Sequence, residues 1–149
     1  MKKFLVSVIA AASVFAVVVP VHAASSLPSN FDVNITLTSA CQMTTSPSNV
    51  LFTYTSLGAA AASTGGGFGV QCTNSLPYTL ALDATSVTDL AVNLTYTLAL
   101  SATSATGNGS AQSYTITGGI TAGQVGTCTG ATCNNSTSGN KTRTLTIGY

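Results

Sequence analysis

The sequence predicts an all-β fold, an antiparallel sandwich, and three observations carry that expectation. Short segments alternate apolar and polar residues along most of the chain. Alternation with period two means one buried and one wet face. Clusters of Gly, Ser, Asn and Pro punctuate those segments as turns. Helix signals are missing beyond the first residues: the run Ala59 to Ala62 is short and is followed by Gly65-Gly66-Gly67, so it reads as loop or a single turn.

Taken in order, Phe31 to Thr38 alternates cleanly. Val50 to Thr55 puts Val50, Phe52 and Tyr54 on one face, and Phe68 to Thr73 does the same with Phe68, Val70 and Cys72. Tyr78 to Asp83 aligns Tyr78, Leu80 and Leu82. Ala91 to Leu100 is the longest expected strand, with Val92, Leu94, Tyr96, Leu98 and Leu100 in phase. Tyr114 to Ile120 follows, and Thr142 to Tyr149 places Leu145, Ile147 and Tyr149 together. Seven strands of this kind suit one sandwich domain. The stretches Gln42 to Asn49, Gly58 to Gly67, Thr103 to Ser113 and Gly126 to Asn140 read as loops.

Ahead of the strands, Lys2 and Lys3 precede an apolar run from Phe4 to Ala12, continued by Val14 to Val19 and closed by Val21-His22-Ala23. A basic start, an apolar middle and a small-residue exit define a secretory signal peptide. Residues 1–23 are therefore expected to be removed on export. A retained membrane anchor is the competing reading, since the run is about long enough to span a bilayer. Residues 24–40 form a segment leading into the first strand, and 41–149 form the domain.

Export changes the composition. The charged side chains left are Asp32, Asp83, Asp89, Lys141 and Arg143, a net charge of −1 against +1 for the whole chain. Glu and Trp are absent, and the single histidine, His22, leaves with the signal. No basic patch remains for nucleic acid. Without histidine there is no Ser-His pair, and Asp83 and Asp89 read as turn-forming residues. The glycine clusters match no phosphate-binding pattern. Lys141 and Arg143 read as the solvated side of the last strand.

Four cysteines, Cys41, Cys72, Cys128 and Cys133, suit disulfides in an exported chain. Three pairings exist, and the favoured one is Cys41 with Cys72 and Cys128 with Cys133, the latter a tight loop turned at Gly130. Loop-closure entropy assigns these roughly 3–4 and roughly 2 kcal/mol. A metal site is disfavoured, because Cys-x4-Cys without histidine is a poor zinc ligand set. No cofactor is expected.

A strand so near the new N-terminus can be given to a neighbouring molecule. Its apolar face is Phe31, Val33, Ile35 and Leu37. The sequence stops at Tyr149 within an apparent core strand, so the expectation is an immunoglobulin-like sandwich lacking its last strand. An inserted strand would fill the resulting groove by β-augmentation. Leu145, Ile147 and Tyr149 would line that groove or pair with a chaperone's strand.

The order of several segments resembles one family. Phe31-Asp32-Val33-Asn34-Ile35-Thr36-Leu37 leads to Ser39-Ala40-Cys41, then Val50-Leu51-Phe52 and Gly69-Val70-Gln71-Cys72-Thr73. Pro77-Tyr78-Thr79-Leu80-Ala81-Leu82-Asp83, Leu94-Thr95-Tyr96-Thr97-Leu98 and Arg143-Thr144-Leu145-Thr146-Ile147-Gly148-Tyr149 complete the pattern. Together they resemble the spore coat protein U domain, which includes subunits of archaic chaperone–usher pili. The resemblance implies an incomplete immunoglobulin-like fold that polymerises by donor-strand exchange. It implies three partners: related pilus subunits, a periplasmic chaperone and an outer-membrane usher. It also implies a cell-surface fibre serving adhesion and biofilm formation, and a bond from Cys41 to Cys72. The chain's size suits a shaft subunit. Alternatives are a protective spore-coat-type protein and a small carbohydrate-binding sandwich in which Tyr54, Tyr78, Tyr96 and Tyr114 stack on sugars. Those tyrosines run in phase with aliphatic residues, which favours core packing instead.

Overall fold

The structure, a computed structural model, describes residues 25–149. The expected signal peptide lies outside the described residues. The chain divides between Ile35 and Thr36 into two units. The described part of the first has no regular secondary structure and is exposed throughout.

The second unit is all-β and antiparallel, without a helix among the described residues. Its strands are β1 (Cys41–Thr45), β2 (Val50–Leu51), β3 (Ala61–Ala62), β4 (Thr64–Gly65), β5 (Gly67–Cys72), β6 (Pro77–Leu82), β7 (Ser86–Thr88), β8 (Thr95–Leu100), β9 (Ser104–Thr106), β10 (Ala111–Ile120) and β11 (Leu145–Gly148). One sheet runs β1-β5-β10-β8-β7, with β3 also on β10. A second runs β11-β6-β9, and β2 pairs with β4.

The longest strand, β10, organises the first sheet. Its half Ala111–Thr115 pairs with β5, and its half Ile116–Ile120 pairs with β8. Period-two alternation turns Tyr114, Ile116 and Ile120 inward. They meet Phe68, Val70 and Cys72 from β5, Tyr78 and Leu80 from β6, and Tyr96 and Leu98 from β8. Gly118 keeps β10 thin where Phe52 crosses it: a Cβ there would lie 2.7 Å from the Phe52 ring.

Both disulfides are formed, in the pairing favoured from the sequence. Cys41–Cys72 joins directly opposed residues of β1 and β5, and Cys128–Cys133 closes the short loop. Tyr78, Tyr96 and Tyr114 are core residues, and Tyr54 packs against them half-buried.

Several expected boundaries move. Phe31 to Thr38 is not a strand. Alternation supplies a face to bury, but a strand also needs an edge to take its N–H and C=O groups. Ala91 to Leu100 begins only at Thr95, because the Asp89 carboxylate accepts from the N–H groups of Ala91 and Val92 and curls that stretch into a turn. Thr142 to Tyr149 contracts to Leu145–Gly148, and Val50 to Thr55 keeps a ladder only at Val50–Leu51.

The expected loops hold strands the sequence did not signal. Gln42 to Asn49 contains most of β1, Gly58 to Gly67 contains β3, β4 and the first residue of β5, and Thr103 to Ser113 contains β9 and the start of β10. Apart from Gln42, Met43 and Gln112, these pieces are Thr, Ser, Ala and Gly, joined by backbone pairing and lacking an apolar stripe. Arg143 is not on a solvated strand face either. It precedes β11, is half-buried and sits 3.3 Å from Asp83.

Candidate groove for an incoming strand

The two sheets do not close on each other along their whole length. A groove of about 700 Å³ opens between Pro47–Tyr54 on one side and Lys141–Leu145 on the other. Its floor is apolar: Leu82, Tyr96, Leu98, Ile116 and Ile120.

Both flanks are strand edges. β11 pairs with β6 on one side only and ends its sheet, and β2 pairs only with β4. Beyond β2, Phe52 and Tyr54 still turn inward, half-buried, with Phe52 5.7 Å from the Tyr96 ring. The Tyr54 hydroxyl accepts from the Gln124 N–H at 2.8 Å and so holds this flank to the loop after β10. An unpaired edge carries a row of free N–H and C=O groups, which is a template for another strand.

One end of the groove is polar. Cys133, Asn134, Asn135 and Ser136 line it together with Asp89. Asp89 is 2% exposed. Its Oδ1 accepts from Ala91 N at 2.8 Å and Val92 N at 3.2 Å, and its Oδ2 accepts from Asn135 Nδ2 at 3.0 Å. Burial pushes its pKa up, but the hydrogen bonds from Asn135, Ala91, Val92 and Ser138 outweigh that and hold it below the usual carboxylate value. The carboxylate is therefore ionised at neutral pH.

Next to it, Asn140 donates to Thr88 O and accepts from Leu90 N, while Arg143 donates to Asn140 O at 2.8 Å. Lys141 donates to Ser136 O. The Arg143 Nε is, among the described residues, a buried polar atom without a partner.

The residues expected to matter fall in different places. Leu145 lies on the groove, half-buried. Ile147 packs against the core, and Tyr149 is exposed past the end of β11. Phe31, Val33, Ile35 and Leu37 are 85%, 71%, 86% and 79% exposed, so none is part of a packed core. Asp89, Asn135 and Phe52 were not singled out as groove residues by sequence reasoning. Asp89 and Asn135 look like ordinary turn residues, and Phe52 reads only as part of the Val50–Tyr54 strand face. Among the described residues no cluster of three or more His, Cys, Asp or Glu could hold a metal ion, and no helix is long and apolar enough to cross a membrane.

An all-β antiparallel domain of this kind, with a disulfide across its first strand pair, fits a structural module. The family model of the Spore Coat Protein U domain matches residues 27–97, from the N-terminal segment into β8. It is a structural, pilin-type domain of pilus and spore-coat proteins and not an enzyme family. No curated protein and no solved structure matches the chain.

Proposed function

We propose that the chain is a structural subunit, a shaft pilin of a chaperone–usher fimbria, that polymerises by donor-strand exchange. Phe31, Val33, Ile35 and Leu37 of one copy enter the groove of the next, between β11 and the Val50–Tyr54 flank. The single observation carrying this reading is that one chain holds both halves of the contact. It has an apolar groove between two strand edges, and an exposed alternating segment with no strand partner.

The physical balance favours insertion. Burying four such side chains contributes roughly 1.5–3 kcal/mol each, so roughly 6–12 kcal/mol before binding costs. Backbone pairing on both edges adds to this. With almost no charge on the chain, little repulsion opposes stacking of copies. A periplasmic chaperone would cover the groove until an outer-membrane usher exchanges it for the next subunit's segment. The fibre would then stand on the cell surface and serve adhesion and biofilm formation.

The test is sizing of the exported protein, with and without residues 24–37, in SDS before and after boiling. Ladders that collapse only on boiling, and that vanish on truncation, are the expected outcome. A stable monomer that unfolds on truncation would make Phe31–Leu37 part of its own domain and end the polymer reading. A spore-coat-type shell remains the second reading within the same family. Sheets or shells in place of linear fibres under the electron microscope would favour it.

A further inference from the structure

We infer that Asp89, through Asn135, is the positioning group that fixes the polar end of the groove and with it the register of the inserted strand. This rests on the strand-insertion reading above.

The groove's flank before β11 has no ladder of its own. Residues 121–144 connect β10 to β11 without a strand or helix, yet Cys133–Ser136 and Lys141–Thr144 form groove surface. Arg143 and Thr144 are held by Asp83, whereas the contacts holding the Cys133–Asn140 stretch converge on one turn. Asp89 takes Asn135 on one oxygen while the other caps Ala91 and Val92. Asn140 ties the same loop to Thr88 and Leu90 on either side of Asp89, and Ser138 in turn bonds Asn140 at 2.7 Å. The Cys128–Cys133 bond shortens the free chain entering this contact.

The charged and titratable groups around the cluster are Arg143, Lys141, Asp83 and Tyr96. Arg143 is engaged by Asp83 and by Asn140 O, and Lys141 by Ser136 O. No cation is paired with Asp89: the only salt bridge among the described residues is Arg143 with Asp83. Its hold on the loop is thus made by neutral donors, whose geometry is directional. A directional contact at a groove end matters because an inserted strand has few ways to slip. A shift by one residue would turn Phe31, Val33, Ile35 and Leu37 away from the floor, so slippage proceeds by two. A fixed wall distinguishes one such register from the next.

The experiment uses the full mature chain. Asn135→Ala removes the donor to Oδ2 but leaves both turn caps on Oδ1, so the monomer should melt within a few degrees of the unaltered protein. Two readouts follow on assembled fibres. The first is the rate of dissociation in SDS on heating, expected to rise about tenfold for a lost hydrogen bond to a charged group. The second is amide hydrogen exchange over residues 25–40. Protection should cover one fixed stretch in the unaltered fibre and spread by two residues in Asn135→Ala. Asp89→Asn should reproduce both effects. Unchanged dissociation and an unchanged protected stretch in Asn135→Ala fibres would overturn the assignment while leaving strand insertion intact. Absence of fibres from the unaltered chain would instead remove the insertion reading itself.

Discussion

The two halves of β10 face different surroundings, although both turn similar residues inward. Over Ala111–Thr115 it pairs with β5, and its Tyr114 stacks on Phe68 at 5.5 Å and meets Tyr78 edge-on at 6.4 Å. There the second sheet covers the first, and Val70 is fully buried. Over Ile116–Ile120 it pairs with β8, and Ile116, Ile120, Tyr96 and Leu98 form the floor of an open groove. The first half lies under the second sheet, and the second half lies under the groove that the proposed inserted strand would fill. On the proposed reading, the same alternating pattern serves stability in one half and recognition in the other. What separates them is whether the chain supplies a covering strand.

The largest effect expected from breaking this contrast is on assembly. Ile35→Asp puts a charge where an apolar side chain would meet the groove floor. It forfeits roughly 1.5–3 kcal/mol of burial and adds the cost of a buried charge. Fibres should be absent, while the monomer's urea midpoint stays unchanged, because Ile35 is 86% exposed. A shifted midpoint would show that Ile35 already serves its own domain.

The closed half responds in the opposite way. Leu80→Ala empties a site that is 2% exposed and should cost about 2–5 kcal/mol of monomer stability in urea titration. Leu94→Ala on the half-buried groove side should cost the monomer less, and should weaken fibres instead. Equal losses in the monomer would erase the distinction between the halves.

Disulfide removal gives a smaller graded comparison. Replacing Cys41 and Cys72 together by alanine should cost roughly 3–4 kcal/mol. The same change at Cys128 and Cys133 should cost roughly 2 kcal/mol, in line with the loop lengths closed. Only the second pair adjoins the groove, so only its loss should also speed fibre dissociation.

How far the sequence foretold this arrangement follows from the same contrast. Strands that bury large residues, β5, β6 and the inward rows of β8 and β10, announce themselves by alternation. β1, β7 and β9 do not, since Gln42, Thr45, Ser86 and Ser104 offer no apolar stripe and are held by backbone pairing. Phe31 to Thr38 reads as a strand because alternation reports a face suited to burial, whichever molecule supplies the cover. The cysteine pairing was legible from spacing and resemblance. The groove's polar end was not, because Asp89 and Asn135 are 46 residues apart and each looks like an ordinary turn residue.

The smallest effects lie at the extremes of pH, where each half has its own titrating group. In the closed half, burial and the hydrogen bond to Tyr114 raise the Tyr78 pKa from 10.0 to about 12. Its contribution is therefore complete below pH 10 and lost as pH rises toward about 12, since only the unfolded chain ionises in that window. At the groove, Asp89 is held below its ordinary 3.8. Its contribution is complete above that value and lost as pH falls through the lower folded one. Urea titrations across both windows separate the two. Tyr78→Phe should reduce the alkaline limb, to which buried Tyr96 also contributes, and leave the acid limb unchanged, while Asp89→Asn should flatten the acid limb alone. Fibres should loosen on the acid side through the groove carboxylate, and on the alkaline side only through Tyr96, whose pKa burial also raises and which lies on the groove floor. Loosening at alkaline pH that persists in Tyr96→Phe fibres, before the monomer unfolds, would mean that the closed half also takes part in holding the strand.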